Sequence, residues 1–438
     1  MGELRREEAE RSRNRRTSFT LYFSFPVLGW ALYDFANTIF SSNITTIFFP
    51  FYLQEVIGTN DQLNQIASTF ISYANAVASL LLVMFSPLFG VMIDQTGRKK
   101  RPLSVLALLS ILCTVGMGLS ALWQGDPFLS LAFVILLFVL AKFFYHSSLI
   151  FYDTMISDLG AKEDMPLISG FGVAVGYIGT LVGLLVYPFI GDGQFHQAFI
   201  PTAVLYFLFT LPLLLWVKEK KEQREESSAV SVSFLSGYRE IMETFREIKS
   251  YKPIFLFMVT YFFINDAIAT TITMMAVYAK AVVGFTTNMF IILYLVSTLA
   301  SIIGSFAFGY VTKKAGAAKG VTYVALILII ALILAVTAVH STVFWVAGSL
   351  FGVALGAMWV TTRTLIVELA PPHKRGQFFG LFAFSGKVSA ILGPVVYGTI
   401  TLVFAHTGSL ASRLALSSLL VFTLIGLLVH FKTPYEQK

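Results

Sequence analysis

Long stretches without charged residues run through the chain and predict helices that cross a membrane. A helix needs about 20 apolar residues to cross the hydrocarbon, and the runs 62–93, 281–312 and 320–362 contain no Asp, Glu, Lys or Arg. Such runs, together with apolar segments that carry one or more charges, predict twelve spans. Numbered span 1 to span 12 in chain order, they cover 27–54, 65–93, 103–123, 128–157, 167–190, 197–217, 253–279, 287–312, 320–338, 342–369, 377–403 and 413–431.

The composition agrees with this pattern. Of 438 residues, 56% are apolar and 13% are charged, whereas ordinary globular proteins carry about a quarter charged residues. So few charges cannot clothe the surface of a water-soluble domain of this size, which excludes soluble enzymes and secreted domains. The single cysteine, Cys113, excludes an internal disulfide framework and a thiolate zinc cluster. We expect an all-α membrane protein.

The basic residues are distributed asymmetrically between alternate loops. If the N-terminus and every second loop lie inside, the inner segments hold 26 of the 31 basic residues, and the outer segments hold only Lys280 and Arg413. Cytoplasmic loops are enriched in Lys and Arg. We therefore expect a multi-pass protein, in the cell membrane, with both termini cytoplasmic. The net charge of +7 then reports topology and contact with anionic lipid at the inner face, and not nucleic-acid binding.

The two halves of the sequence resemble each other. Sliding the chain by 210 residues places 157–187 over 367–397 and aligns three glycines, Gly170, Gly176 and Gly183, with glycines of the second half. Two parallel halves of six spans, joined by a long inner loop, resemble the plan of major facilitator transporters. The predicted domains are a cytoplasmic tail (1–26), two six-helix bundles (27–217 and 253–438, the second with a short cytoplasmic tail) and a cytoplasmic central loop (218–252).

The central loop contains apolar residues at helical spacing after a strongly charged first part. This spacing predicts an amphipathic helix on the inner membrane surface. A solvated linker is the alternative for the first part of the loop. The apolar positions are Phe234, Tyr238, Ile241, Met242, Phe245 and Ile248.

A motif of glycines, one acid and four basic residues follows span 2. The sequence GVMIDQTGRKKR resembles the GxxxDxxGRKxR signature of the major facilitator superfamily. Glycines permit a tight turn and a close helix approach, and the acid can face a helix N-terminus. A plain basic anchor would explain neither the acid nor the glycines. In the second half, Lys313 replaces the acid. The predicted gating-motif residues are Gly90, Asp94, Gly97, Arg98, Lys99 and Arg101.

Three further motifs resemble the vacuole effluxer-like (autophagy-related permease) family. WALYDFANT in span 1 is similar to its W-x-x-YDFANS signature, and YFFIND in span 7 to its YxxxxDG segment, with Ala267 in place of glycine. Arg363, ELAPP and FFGLFAFSGK match its R…L-x-PP…EFFGxYxxxGK run, with Gln377 in place of the acid. The resemblance implies transport by a monomer. Its fungal members export amino acids from the vacuole, but the substrate does not carry over to this chain.

Polar and charged residues inside the predicted spans are the candidate site. An ionisable group at mid-membrane costs about 3 kcal/mol. Helical spacing predicts three stripes: Asp34, Asn37, Ser41 and Thr45 in span 1; Lys142, His146, Leu149 and Asp153 in span 4; Asp266, Thr270 and Thr273 in span 7. In the superfamily, spans 1, 4, 7 and 10 line the central cavity. The predicted substrate-binding or coupling residues are Asp34, Asn37, Lys142, His146, Asn265, Asp266, Trp359 and Lys387.

Two pairs of repeat-related residues predict a cytoplasmic gate. Asp153 and Arg363 carry opposite charges at equivalent positions of spans 4 and 10, and Asp158 and Glu368 follow them. We expect Asp153 and Arg363 to pair when the cytoplasmic mouth closes. The alternative is that each charge is satisfied within its own half. Charge reversal at Arg363 should abolish transport, and exchange of the two charges should partly restore it.

These features favour a secondary transporter that works by alternating access. Mixed charge in the spans suits a small polar or zwitterionic solute, such as an amino acid or peptide. Transport could also be coupled to protons, because Asp34, Asp266 and His146 are candidate proton carriers. The alternatives are an exporter or flippase of an amphiphilic lipid or drug, since Phe alone numbers 42, and a membrane sensor without flux. The sequence contains no GxSxG, HExxH or phosphate-binding loop, so neither an enzyme nor a cofactor or metal site is expected.

Overall fold

The computed structural model describes residues 20–57, 61–123, 125–191, 194–219, 239, 243 and 251–435. Most of the predicted cytoplasmic tail, and the predicted amphipathic helix of the central loop, lie outside the described residues. Every regular element in the described ranges is helical. The fold class predicted from the hydrophobic pattern, an all-α membrane protein, is therefore confirmed.

Eleven described helices are long and apolar enough to cross a membrane, and they correspond to spans 2 to 12. Each begins and ends within a few residues of its predicted range or extends beyond it, except that the α-helix of span 5 ends at Gly183 and continues as a 3-10 helix, Leu184–Phe189. Their bounds are Asp61–Thr96, Lys100–Leu122, Pro127–Leu159, Met165–Gly183, Phe199–Trp216, Lys252–Tyr278, Thr287–Ala315, Ala317–Thr337, Ser341–Leu369, Arg375–Val403 and Ser409–Lys432.

Span 1 is helical as well, but its geometry changes in the middle. An α-helix, Phe25–Phe40, continues without a break into a π-helical stretch, Ser41–Phe48, and then into a second α-helix, Phe49–Ile57. The wider turn is visible where the Thr46 hydroxyl donates to the carbonyl of Ser41, five residues earlier (3.0 Å). The predicted stripe through Ser41 and Thr45 therefore passes from α-helical into π-helical geometry, in which each turn holds about one residue more, and the stripe stays a prediction.

The helix ends follow local sequence signals. Span 4 begins after Asp126, whose carboxylate accepts a hydrogen bond from the N–H of Phe128 (2.9 Å). The start of span 8 is capped in the same way by the Thr286 hydroxyl. Span 2 is followed by Gly97 at φ +63°, a left-handed conformation that favours glycine. These signals fix where spans 2, 4 and 8 end or begin.

By its internal contacts, the chain divides into two compact units: Met1–Ala78 with Arg98–Lys220, and Ser79–Gly97 with Lys221–Lys438. In the first unit, span 1 packs on spans 5 and 6, and span 3 packs on span 4. In the second unit, span 7 packs on spans 11 and 12, and span 10 packs on spans 8 and 9. The inner part of span 2 belongs to the second unit. The predicted bundles 27–217 and 253–438, as domains, stay a prediction.

Candidate functional site

The aromatic residues of the span 1 motif fasten span 1 to span 4. The indole N–H of Trp30 donates to the carbonyl of Tyr152 (3.0 Å), and the two rings stack with centroids 4.5 Å apart. The Tyr33 hydroxyl donates to Oγ of Ser148 (2.8 Å). Trp30 fills the space beside Gly172 of span 5, where any Cβ would collide with its ring. These two motif residues are therefore structural, since both are completely buried.

The polar residues of the same motif face different neighbours. Asp34 is partly buried and lies over Gly176 of span 5, where a Cβ would sit 3.1 Å from the carboxylate. Asn37 is 2% exposed, and its Oδ1 accepts a hydrogen bond from the hydroxyl of Tyr206 in span 6 (3.0 Å). The Asn37 amide nitrogen is buried and has no hydrogen-bond partner among the described residues. Of this predicted pair, Asp34 is the more accessible.

Lys142 in span 4 lies inside the first unit with its ammonium held by a neutral group. Its side chain is 8% exposed, and its Nζ donates to Oδ1 of Asn75 in span 2. The Asn75 amide nitrogen donates to the carbonyl of Ile71 (2.9 Å), which turns Oδ1 toward the lysine. His146 and Asp153 follow on span 4 and are partly buried. The span 4 stripe thus begins with a buried cation that a neutral oxygen positions.

In the second unit, Asn265 joins span 7 to span 11. The Asn265 amide nitrogen donates to the carbonyl of Gly386 (3.0 Å) and to Oγ of Ser389 (2.8 Å). Tyr261, one turn earlier, stacks on Phe382 with centroids 3.9 Å apart. This contact joins two motifs of the family resemblance. Tyr261 and Asn265 of YFFIND pack on Phe382 and Gly386 of FFGLFAFSGK.

Asp266 is completely buried in the same interface. Its Oδ1 accepts a hydrogen bond from the N–H of Gly393 in span 11 (2.8 Å). A Cβ at Gly393 would lie 2.6 Å from Oδ1 and would also collide with the hydroxyl of Thr270, so this close approach requires glycine. Thr273, the third residue of the predicted span 7 stripe, is exposed. Of this stripe, Asp266 and Thr270 are therefore buried and Thr273 is exposed.

The remaining predicted residues of the second unit lie on spans 10 and 11. Arg363 is 6% exposed and stands in a run of buried threonines. Trp359 and Lys387 are partly buried, and Glu368 is exposed at the end of span 10. The pairing of Asp153 with Arg363 stays a prediction.

The motif that follows span 2 holds the start of span 11. Both carboxylate oxygens of Asp94 accept hydrogen bonds, from the backbone N–H groups of Gly376 and Gln377 (2.7 Å each). These are the second and third residues of Arg375–Val403, so the acid meets unpaired donors at the positive end of the helix. Gly90 allows the approach, since a Cβ there would lie 2.5 Å from the carbonyl oxygen of Gly376.

The basic part of the motif is anchored in the first unit. The Lys99 ammonium lies 2.7 Å from Oδ2 of Asp158, at the end of span 4. The backbone N–H of Lys99 donates to Oε1 of Glu219 (2.8 Å), just after span 6. Asp158, predicted as a gate residue, is thus engaged within its own unit. Arg98 and Arg101 are exposed, between the end of span 2 and the first turn of span 3.

Comparison with known proteins decides the family. The family model described as "Vacuole effluxer Atg22 like" matches residues 26–438. The chain belongs to the vacuole effluxer Atg22-like family. The resemblance seen in the span 1, span 7 and span 11 motifs is therefore confirmed.

Relatives in this family include bacterial and fungal proteins. The uncharacterized MFS-type transporter YxiO of Bacillus subtilis is 24% identical over 420 residues, which cover 93% of this chain and 94% of that protein. Autophagy-related protein 22-1 of Neosartorya fischeri is 25% identical over 266 residues, 53% of this chain and 43% of that protein. The chain thus spans less than half the length of this fungal relative.

Solved structures show the same fold. The proton:xylose symporter XylE aligns with a TM-score of 0.70 at 14% identity and covers 96% of both chains. A bacterial homologue of the iron transporter ferroportin, in an outward-facing state, aligns with a TM-score of 0.68 at 14% identity over 93% of this chain and 98% of that chain. The Atg22-like chain is therefore a multi-pass membrane transporter of the major facilitator type, and its family and structural neighbours are transporters, not enzymes.

The structure adds site residues that the motifs do not single out. Asn75 lies within the charge-free run of span 2, and this single amide between Ile66 and Ile93 is the signal that points to it. Gly376 and Gly380 accompany Asp94: a Cβ at Gly380 would lie 2.5 Å from the carbonyl of Ser86. Their spacing of four residues at a helix start marks a close-packing face.

Proposed function

We propose that the protein is a secondary transporter of the cell membrane that moves a small polar or zwitterionic solute, amino acid or peptide-like, by alternating access. The observation that carries this proposal is the burial of ionisable groups of both signs inside apolar spans. Lys142 is 8% exposed and Asp266 is completely buried. Each such group costs about 3 kcal/mol at mid-membrane, a cost that a merely structural bundle avoids.

Charges within the first unit suit a zwitterion. Lys142 on span 4 is positioned by the amide oxygen of Asn75, which holds the ammonium without adding a negative charge. This ammonium is the group that would receive a carboxylate of the solute. Asp34 on span 1 is partly buried, and its carboxylate would receive an amino group. The arrangement supports a solute that carries both charges.

The motif after span 2 serves as an inner latch in this proposal. Two charge-assisted hydrogen bonds tie Asp94 to the first turn of span 11, and Gly90 brings the backbones together. Opening at this level requires both bonds to break, so the latch biases the protein toward the state described here. Proton binding at Asp34, Asp266 or His146 would supply the coupling.

A ligand screen followed by flux tests the proposal. Purified protein is screened by thermal shift against amino acids, dipeptides and amphiphiles, and hits are measured for flux in liposomes with and without a pH gradient. We expect a zwitterionic hit whose thermal shift is lost in Lys142→Met and kept in Lys314→Met, a matched change at an exposed lysine of span 8. Shifts from amphiphiles alone would favour the lipid or drug exporter, and binding without flux would favour a sensor.

A further inference from the structure

Asp266 carries an oxygen that the surrounding protein leaves without a hydrogen bond. The side chain is completely buried, and Oδ1 accepts from the Gly393 N–H (2.8 Å). Oδ2 is also buried and has no hydrogen-bond partner among the described residues. An ionised carboxylate accepts at both oxygens, and a buried charge without partners is strongly unfavourable. The geometry is therefore wrong for an ionised acid and suits a neutral one.

A second buried group without a hydrogen bond among the described residues, the Thr270 hydroxyl, lies near this carboxyl. Thr270 follows Asp266 by one turn, and its hydroxyl is likewise buried without a partner among the described residues. Oδ2 of Asp266 and the Thr270 hydroxyl both border the point where a Cβ of Gly393 would stand. The neighbouring amide of Asn265 is already committed to Gly386 and Ser389. The carboxyl and the Thr270 hydroxyl thus border the same point, and no hydrogen bond joins them among the described residues.

The ionisable groups of span 11 nearest Gly393 in sequence do not stand at its level. On span 11, Lys387 is six residues before Gly393 and Tyr397 is four residues after it, about 9 Å and 6 Å along the axis. Arg413 of span 12 is bound to the carbonyls of Val336 and Ala338. The ionisable groups on the described parts of spans 10, 11 and 12 are Arg363, Glu368, Arg375, Lys387, Tyr397, Arg413, His430 and Lys432.

We propose that Asp266 is the coupling-proton site and that its carboxyl is protonated in the state described here, with the proton on Oδ2. This inference rests on the proposed function, because it selects one proton carrier among Asp34, Asp266 and His146. A sodium ion fits less well: it takes about six oxygen ligands in proteins, as hard cations do, and the Gly393 N–H points a positive dipole at the same carboxyl.

Release of the proton requires span 7 to move relative to span 11. Ionised Asp266 needs donors at Oδ2, which water supplies once the interface opens. Span 11 contains Pro394 directly after Gly393, and proline leaves the carbonyl four residues earlier without its helical N–H. The helix can therefore bend at the residue that binds Asp266. Loading and release of the proton become linked to the packing of span 7 on span 11.

Infrared spectroscopy of the purified full-length protein tests the protonated acid directly. At neutral pH, exposed carboxyl groups are ionised, so a carboxylic acid C=O band reports a buried neutral acid. We expect this band in the wild type, its loss in Asp266→Asn and its retention in Asp34→Asn, the matched change of the span 1 acid. Absence of the band in the wild type, or its persistence in Asp266→Asn, overturns the proposal.

A second variant covers the case in which Asp266→Asn does not fold. Thr270→Val removes a hydroxyl that borders the same point as the carboxyl and makes these surroundings less polar, so the band should remain and move in frequency; an unchanged band would assign it to another acid. Loss of the band when sodium chloride replaces choline chloride would assign the site to sodium instead. The infrared band can be measured whether or not the protein transports a solute. A normal band without any flux would refute the transporter proposal and leave the protonated Asp266 standing. Flux driven by a pH gradient without the band would place the coupling proton on another residue.

Discussion

Removal of the Asp94 carboxylate should release the first turn of span 11. The N–H groups of Gly376 and Gln377 are the second and third of the helix, so they have no intrahelical acceptor, and Asp94 binds both at 2.7 Å. Each charge-assisted bond contributes about 1.5 kcal/mol. Because Gly376 and Gln377 are buried, water does not fully replace the lost bonds, and we expect a loss of at least about 2 kcal/mol in Asp94→Ala.

Hydrogen exchange measures this loss at the two amides themselves. At 1.4 kcal/mol per factor of ten, 2 kcal/mol corresponds to about 30-fold faster exchange in a peptide that covers residues 375–380. Asp94→Asn keeps one acceptor oxygen and should lose about 1 kcal/mol, or about fivefold. Exchange within twofold of the wild type in Asp94→Ala would refute the view that this carboxylate holds the helix start.

Asp126→Ala is the matched control for this experiment. Asp126 caps span 4 through the N–H of Phe128 (2.9 Å), so its removal should speed exchange at the start of span 4 only. Faster exchange at 375–380 in Asp126→Ala would show that the effect reflects general loosening of the protein and not the Asp94 contact.

Three further substitutions test the packing described above through the apparent melting temperature of the purified protein. Gly393→Ala should destabilise it by about 1–3 kcal/mol through overpacking, whereas Gly398→Ala has no neighbour within 4 Å and should be neutral or stabilising, since Ala favours helix. Lys99→Met combined with Asp158→Asn in a double-mutant cycle should give a coupling of about 1 kcal/mol, because both side chains are partly exposed. Trp30→Phe keeps the stacked ring but loses the indole hydrogen bond, and should cost about 1 kcal/mol.

Specific outcomes would contradict these expectations. Equal melting temperatures for Gly393→Ala and Gly398→Ala would mean that spans 7 and 11 approach less closely than described. Additive effects of the Lys99 and Asp158 changes would remove their ion pair as a stabilising contact. A Trp30→Phe variant as stable as the wild type would leave ring packing as the only contribution of Trp30.

Much of the fold follows from the order of the residues because membrane-crossing helices need only length and low charge. The distribution of basic residues between alternate loops can likewise be read directly from the sequence. The acid of the motif after span 2 was expected at a helix N-terminus, but which helix it meets depends on tertiary packing. Gly376 and Gly380 identify span 11 as the helix that Asp94 meets only once the packing of spans 2 and 11 is known.

The site was harder to predict because helical spacing shows which residues share a face but not what lies opposite. Asp266 and Thr270 share a face that meets Gly393, whereas the sequence placed them in a cavity stripe. Lys142 was recognised from its charge, but its partner Asn75 is neutral and lies 67 residues away. Buried polar contacts of this kind are specified by pairs of elements, and a single sequence carries no signal for the pair.

The π-helical stretch of span 1 has a consequence for comparing members of the family. Residues Ser41–Phe48 have more residues per turn than an α-helix. The side chains after this stretch therefore point in different directions from those that a continuous α-helix would give them. A relative that is purely α-helical here would match WALYDFAN and the outer end of the span only with a gap between them. Gap-free alignments would pair lipid-facing positions of one protein with interior positions of another, and would misassign which substitutions alter the transport path.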